Sequence, residues 1–168
     1  NPTSDRLASA EEAAGRALAL RPNLPEAHLA LGFLHHLGRR DYRRALVEYS
    51  VAARDLPNDS GLFTLIADVH RRQGKWEEAR AEMERVVDLD PSNYAALLSL
   101  GDTLSRLRSY GEADRAFQRA INLSPDRIDG YLQRFWNYLR WDGKTDRAER
   151  VILEAPLPDH PGIVFGRS

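Results

Sequence analysis

Apolar side chains recur along this chain with a short period and a long one. Locally they fall at i, i+3, i+4 and i+7, the spacing of one face of an α-helix. Over longer distances a whole phrase returns, because residues 85–93 read RVVDLDPSN and residues 119–127 read RAINLSPDR, 34 positions later. Related segments contain a proline at the equivalent position, and these prolines, spaced 35, 34 and 34 residues apart, are Pro22, Pro57, Pro91 and Pro125. The long period predicts an internal repeat.

Each block between prolines contains two helical runs of apolar positions. The first run is broken by a glycine or polar turn, such as Gly74-Lys75. The second stops ahead of the proline, which disfavours helical geometry in the residue before it. Each block is therefore predicted to be a helix hairpin, and hairpins of this size must stack to cover their second apolar face. The predicted segments are a leading lone helix (1–22), four hairpins (23–57, 58–91, 92–125 and 126–155) and a proline-rich tail (156–168).

Small residues recur at fixed offsets in both helices of the hairpins, where they let two backbones approach closely. They are Gly32, Ala67 and Gly101 in the first helices, and Ala45, Ala79, Ala113 and Ala148 in the second. The phrase Leu-Gly, aromatic, Ala, aromatic, Ala, Pro at this period resembles the tetratricopeptide repeat over roughly residues 5–155. The resemblance implies an all-α solenoid of stacked antiparallel hairpins, a right-handed superhelix whose first helices line a concave groove.

Two parts of the chain depart from the repeat. Residues 5–20 match only a second helix, which we interpret as a partial repeat of an excised piece or as an N-terminal cap. In the fourth block, Phe135 replaces a small residue and Arg134 replaces a Leu-like one, which predicts a splayed helix pair or a modified terminal repeat. One residue is inserted near Gly38 in the first block, and another near Trp141 in the fourth.

Composition and motifs argue against catalysis. Residues 1–84 carry 12 basic and 13 acidic side chains and residues 85–168 carry 12 of each, so no basic face for nucleic acid is expected. Without cysteine there is no thiolate chemistry, and no apolar run reaches the roughly 18 residues of a membrane span. His35 and His70 share a repeat offset and are interpreted as packing residues. Gly143-Lys144-Thr145 lacks the earlier glycine of a phosphate loop. We predict no enzyme activity, cofactor, metal or membrane insertion.

The resemblance places a candidate partner-binding surface on the first helix of each hairpin. Its residues are Leu29, Phe33, His36 and Leu37 in the first block, Thr64, Asp68, Arg71 and Arg72 in the second, Leu98, Asp102, Ser105 and Arg106 in the third, and Leu132, Trp136, Leu139 and Arg140 in the fourth. Two rows run through this set: Phe33, Asp68, Asp102 and Trp136, then Leu37, Arg72, Arg106 and Arg140. The acid-before-base pairs at i,i+4 are equally explained as ordinary helix support.

The favoured function is a non-catalytic scaffold that holds a peptide or protein segment in the groove, with apolar anchors and an acidic or mixed centre. One alternative is a regulatory module of a larger bacterial signalling protein with a kinase or cyclase attached, and a less favoured one is an RNA-binding helical repeat. The basic turn GRRDYRR (38–44) is either a solvated hairpin or a dock for an acidic partner. The apolar Ile163-Val164-Phe165 of the tail predicts that it folds back on the stack or docks on a neighbour. Homo-oligomers through end faces or tail stay open, and the cytoplasm is the favoured compartment.

Overall fold

A computed structural model describes residues 2–156, and these residues contain helices and turns but no strand. The helices are α1 (Pro2–Leu20), α2 (Pro25–Phe33), α3 (Tyr42–Asp55), α4 (Ser60–Arg72), α5 (Trp76–Leu89), α6 (Tyr94–Arg106), α7 (Tyr110–Leu123), α8 (Ile128–Asp142) and α9 (Thr145–Leu153). A π-helical turn (Leu34–Gly38), called the π-turn below, continues α2. Two compact units result, unit 1 ending at Pro91 and unit 2 beginning at Ser92. The predicted tail lies outside the described residues, except for Pro156.

Local capping explains where several helices begin. The side chains of Asp41, Asp59 and Asn93 precede α3, α4 and α6, and each accepts a hydrogen bond from the backbone N–H three residues later, at 3.0, 2.9 and 3.0 Å. Such caps satisfy an N–H group that the first helical turn leaves without a partner. The turns inside the first three hairpins each contain a left-handed residue, namely Arg40, Gly74 and Arg108 with φ of 56°, 73° and 62°.

The first hairpin of unit 1 closes through a glycine. A Cβ atom on Gly32 of α2 would lie 2.4 Å from the ring of Tyr49 on α3, so the ring occupies the space that a side chain would need. Tyr49 is completely buried as a result. The leading helix α1 belongs to the same unit and packs on the π-turn, where Leu7 lies against Gly38 and Glu11 pairs with Arg39.

Unit 2 repeats this glycine–ring packing and adds a terminal cluster. A Cβ on Gly101 of α6 would meet the ring of Phe117 on α7 at 2.4 Å. In the last hairpin, Tyr131 of α8 packs with Val151 of α9 and with Ala155, which follows α9. A buried cluster therefore joins the two helices of the fourth block.

The two single-residue insertions predicted near Gly38 and Trp141 are accommodated in different ways. Equivalent residues before the π-turn recur after 35 positions, as Gly32 and Ala67 do, whereas those after it recur after 34, as Tyr42 and Trp76 do. The first extra residue therefore lies within the wider π-turn. In the fourth hairpin α8 instead continues to Asp142 and ends at Gly143, whose φ is 69°.

Candidate functional site

Most predicted partner-binding residues lie on accessible surface, but two do not. Leu29, Asp68, Arg71, Leu98, Asp102 and Leu139 are half-buried, and Phe33, Leu37, Thr64, Arg72, Arg106, Leu132, Trp136 and Arg140 are exposed. His36 and Ser105, in contrast, are 1% and 2% exposed. They can influence a surface ligand only through the side chains that cover them.

The π-turn explains why His36 points inward. After the extra residue the register shifts by one, so His36 takes the position of His70, which is half-buried, and of Leu104, which is buried. The predicted alignment of His36 with Arg71 and Ser105 is wrong, because it extends beyond the π-turn a 35-residue spacing that holds only before it. The change in repeat spacing from 35 to 34 residues across the turn was the feature of the sequence that could have revealed this shift.

His36 is the centre of a polar cluster in unit 1. The Tyr49 hydroxyl lies 3.4 Å from Nδ1 of His36. On the other side of the ring, Nε2 lies 3.1 Å from Oδ2 of Asp68, and Arg72 donates from Nε to the same oxygen at 3.0 Å. The rings of Tyr42 and Tyr49 meet the imidazole edge-on, at centroid distances of 6.0 and 6.3 Å.

Burial makes protonation of this histidine unfavourable. Loss of solvation lowers the pKa of His36, with Asp68 opposing the shift and Arg72 reinforcing it. Burial likewise lowers the pKa of His70. The unfolded chain therefore binds protons, near the ordinary histidine pKa of about 6.5, that the folded chain does not bind. The stabilisation from these neutral rings is present above that pH and is lost as the pH falls below it.

We expect His36→Leu to reduce the loss of folding stability at acid pH. The substitution introduces the residue that Leu104 supplies in the same register, and it removes one ring that must be protonated on unfolding. Urea denaturation at several pH values between 5 and 8 measures the free energy of unfolding. An equally steep acid-side loss in this variant would contradict the assignment.

His28 provides the opposite control in the same unit. Burial opposes its protonation, but the contact of Nδ1 with Glu48 at 2.7 Å and that of Nε2 with the Pro22 carbonyl at 2.9 Å outweigh burial and raise the pKa of His28. Its stabilisation is present below pH about 6.5 and is lost as the pH rises through the raised pKa. His28→Gln should therefore leave the acid-side loss in place.

In unit 2 the helices α6 and α8 lie side by side along their length. At one end the Tyr94 hydroxyl donates to Oδ1 of Asp129 at 2.6 Å and accepts from the N–H of Gly130 at 3.0 Å. At the other end Arg140 donates from Nη1 to the Ser105 hydroxyl at 3.5 Å. The predicted residues of the third and fourth blocks consequently share one face of this unit.

That face combines large apolar side chains with arginines. Trp136 is 51% exposed and rests edge-on against Phe135, with ring centroids 5.2 Å apart. Leu132 is 41% exposed one turn earlier. On α6, Arg106 donates from Nε to Oδ2 of Asp102 at 3.1 Å.

The basic turn of residues 38–44 is largely engaged in contacts of its own unit. Arg39 is paired with Glu11, and Asp41 caps α3 by accepting from the Arg44 N–H. Arg40 occupies the left-handed position of the turn.

The chain is similar to known repeat proteins in sequence and in fold. Residues 64–128 match the tetratricopeptide repeat family model. These residues carry tetratricopeptide repeat sequence. It is 25% identical over 136 residues to mouse tetratricopeptide repeat protein 21A, a match that covers 78% of this chain and 10% of that protein. The chain spans between 8% and 20% of the length of the curated relatives it matches.

Solved structures of repeat proteins show the same fold. MamA superposes with a TM-score of 0.80 at 18% identity, covering 91% of this chain and 88% of that one. YrrB, described as a TPR protein with an unusual peptide-binding site, gives 0.79 at 20% identity, covering 95% and 82%. The predicted family resemblance and the all-α solenoid class are confirmed.

Proteins built from tetratricopeptide repeats are typically non-catalytic protein-interaction scaffolds, and the family match and the fold support this general class. In residues 2–156 no group of three or more histidine or acidic side chains is arranged to hold a metal ion. Within the same range, no helix has the length and apolar character needed to cross a membrane.

Proposed function

We propose that this protein binds a segment of a partner protein on the faces of the first helices of its repeats. The observation that carries the proposal is the exposure of large apolar side chains there. Phe33 and Leu37 are 47% and 49% exposed in unit 1, and Leu132 and Trp136 are similarly exposed in unit 2. Aromatic and arginine side chains contribute much of the binding energy at protein interfaces.

The ion pairs on these faces do not carry the proposal. Asp68 with Arg72, and Asp102 with Arg106, are spaced at i,i+4 and each stabilises its helix by about 0.3–0.5 kcal/mol. The apolar residues have no such internal use, since exposing them to water is unfavourable in the free protein. YrrB, with a similar fold, is described as having a peptide-binding site, which supports a peptide-like ligand here.

We expect Trp136→Ala to weaken binding of a peptide selected on the wild-type protein by about 30-fold. A buried tryptophan anchor is worth about 2 kcal/mol, which corresponds to that change in affinity. Peptides from a random 12-residue phage library, selected on the immobilised protein, are synthesised and their dissociation constants measured by isothermal calorimetry. Phe33→Ala is tested in the same way for unit 1.

Matched controls come from exposed apolar residues on second helices. Leu123 of α7 is 45% exposed and Val47 of α3 is 57% exposed. Leu123→Ala and Val47→Ala should leave the affinities of the selected peptides unchanged. If no selected peptide is weakened by Trp136→Ala or Phe33→Ala, the proposed surface is wrong.

Two other functions named from the sequence remain predictions. These are a regulatory module within a larger signalling protein and an RNA-binding repeat. Neither is favoured by a particular contact or cluster of the described residues. The exposed apolar faces favour a protein ligand over RNA, which is recognised mainly through charge, hydroxyl contacts and base stacking.

A further inference from the structure

One position distinguishes α8 from the first helices of the preceding repeats. In α6 an aspartate, Asp102, stands four residues before Arg106 and accepts its Nε–H. The same pair occurs in α4. In α8 the aspartate is replaced by Trp136, while the arginine is kept as Arg140.

The guanidinium of Arg140 is consequently not neutralised by its own helix. Among residues 2–156, the guanidinium of Arg140 contacts the neutral hydroxyl of Ser105, with 3.5 Å between Nη1 and Oγ. Arg140 is also exposed. Most of its five N–H donors therefore remain available to a ligand.

An apolar surface adjoins this cation. Trp136 lies one helical turn before Arg140, and its ring is supported edge-on by Phe135. Leu132 extends the apolar surface by another turn. A ligand side chain that covers the indole would also exclude water beside Arg140, which strengthens an ion pair formed there.

From this arrangement we infer that the partner segment carries an aspartate or glutamate close to a large apolar side chain. The carboxylate binds Arg140 and the apolar side chain packs on Trp136. The planar guanidinium matches a carboxylate with two parallel hydrogen bonds, which an ammonium group cannot do. The ligand thus supplies the acid that α6 and α4 supply to their own arginines. This inference rests on the proposed function and specifies the ligand class for unit 2.

The test uses the selected 12-residue peptides, synthesised with amidated C-termini so that side chains supply every carboxylate. Each acidic residue is replaced in turn by its amide, Asp→Asn or Glu→Gln. Dissociation constants are measured for the wild-type protein, for Arg140→Gln and for Arg119→Gln. Arg119 is an exposed arginine of α7, outside the proposed site, and matches the change in net charge.

One amide replacement should weaken binding to the wild-type protein and to Arg119→Gln by about tenfold, the effect of losing one charge-assisted hydrogen bond. The same replacement should have no further effect on Arg140→Gln. Equal losses in both arginine variants would overturn the inference. Such a result, with binding still dependent on Trp136, would leave the proposed function intact, whereas binding independent of Trp136 would reject that function for unit 2. Thermal denaturation verifies that each variant is folded.

Discussion

Gly101→Ala is expected to destabilise the protein by about 1–3 kcal/mol, the usual effect of overpacking a well-filled core. The added Cβ would lie 2.4 Å from Cε1 of Phe117. The Phe117 ring is completely buried, so it cannot turn away into solvent. Alanine is the better helix former by up to about 1 kcal/mol, but this gain is smaller than the expected steric penalty. Urea denaturation followed by circular dichroism measures the change.

The chain itself indicates how the defect can be repaired. In the preceding repeat the equivalent residues are Ala67 and Met83, both about 1% exposed. A flexible methionine therefore occupies the position of the ring where the first helix carries alanine. Adding Phe117→Met to Gly101→Ala should recover most of the lost stability, giving strongly non-additive effects.

Gly15 provides the matched control for this substitution. It lies within α1, and a Cβ there would meet no atom within 4 Å. Gly15→Ala should therefore stabilise the protein slightly, by about 0.5–1 kcal/mol, through helix propensity alone. If Gly101→Ala behaved like Gly15→Ala, close packing at Phe117 would not be the reason for the glycine.

Asp114→Ala is expected to destabilise the protein by about 2 kcal/mol, between the values for exposed and fully buried ion pairs. Asp114 of α7 accepts from Nε of Arg134 at 2.6 Å, and the two side chains are only 22% and 16% exposed. The substitution leaves a largely desolvated guanidinium without its anion. Thermal or urea denaturation gives the loss.

The double variant Asp114→Ala/Arg134→Leu distinguishes this cause from simple loss of contacts. It places at residue 134 the Leu-like side chain expected from the other repeats and removes the unpaired charge, so it should be more stable than Asp114→Ala alone. Glu12→Ala is the exposed control. Glu12 and its partner Arg16 are 70% and 67% exposed, and the loss should stay below about 0.5 kcal/mol. A double variant no more stable than the single one would contradict the charge argument.

The candidate surface was only partly predictable for a physical reason. The family resemblance implied that Phe33, Trp136 and Arg140 lie on the binding face of the first helices, and repeat offsets transfer between helices because side-chain direction repeats every 3.6 residues in an α-helix. His36 failed this rule, since a π-turn changes the angle between successive residues and carries the ring inward. Nothing in the local sequence distinguishes that turn from a longer loop.

The sequence by itself determined the helical hairpins, their turns and the recurring small residues, because each depends on neighbours a few positions away. Only the tertiary structure decided which side chains share contacts across helices. Arg134 departs from the repeat because Asp114, 20 residues earlier, lies beside it. Gly101 is required because the Phe117 ring occupies its space. Such contacts depend on how closely two helices pack, and the spacing of residues along one helix does not specify the distance to its neighbour.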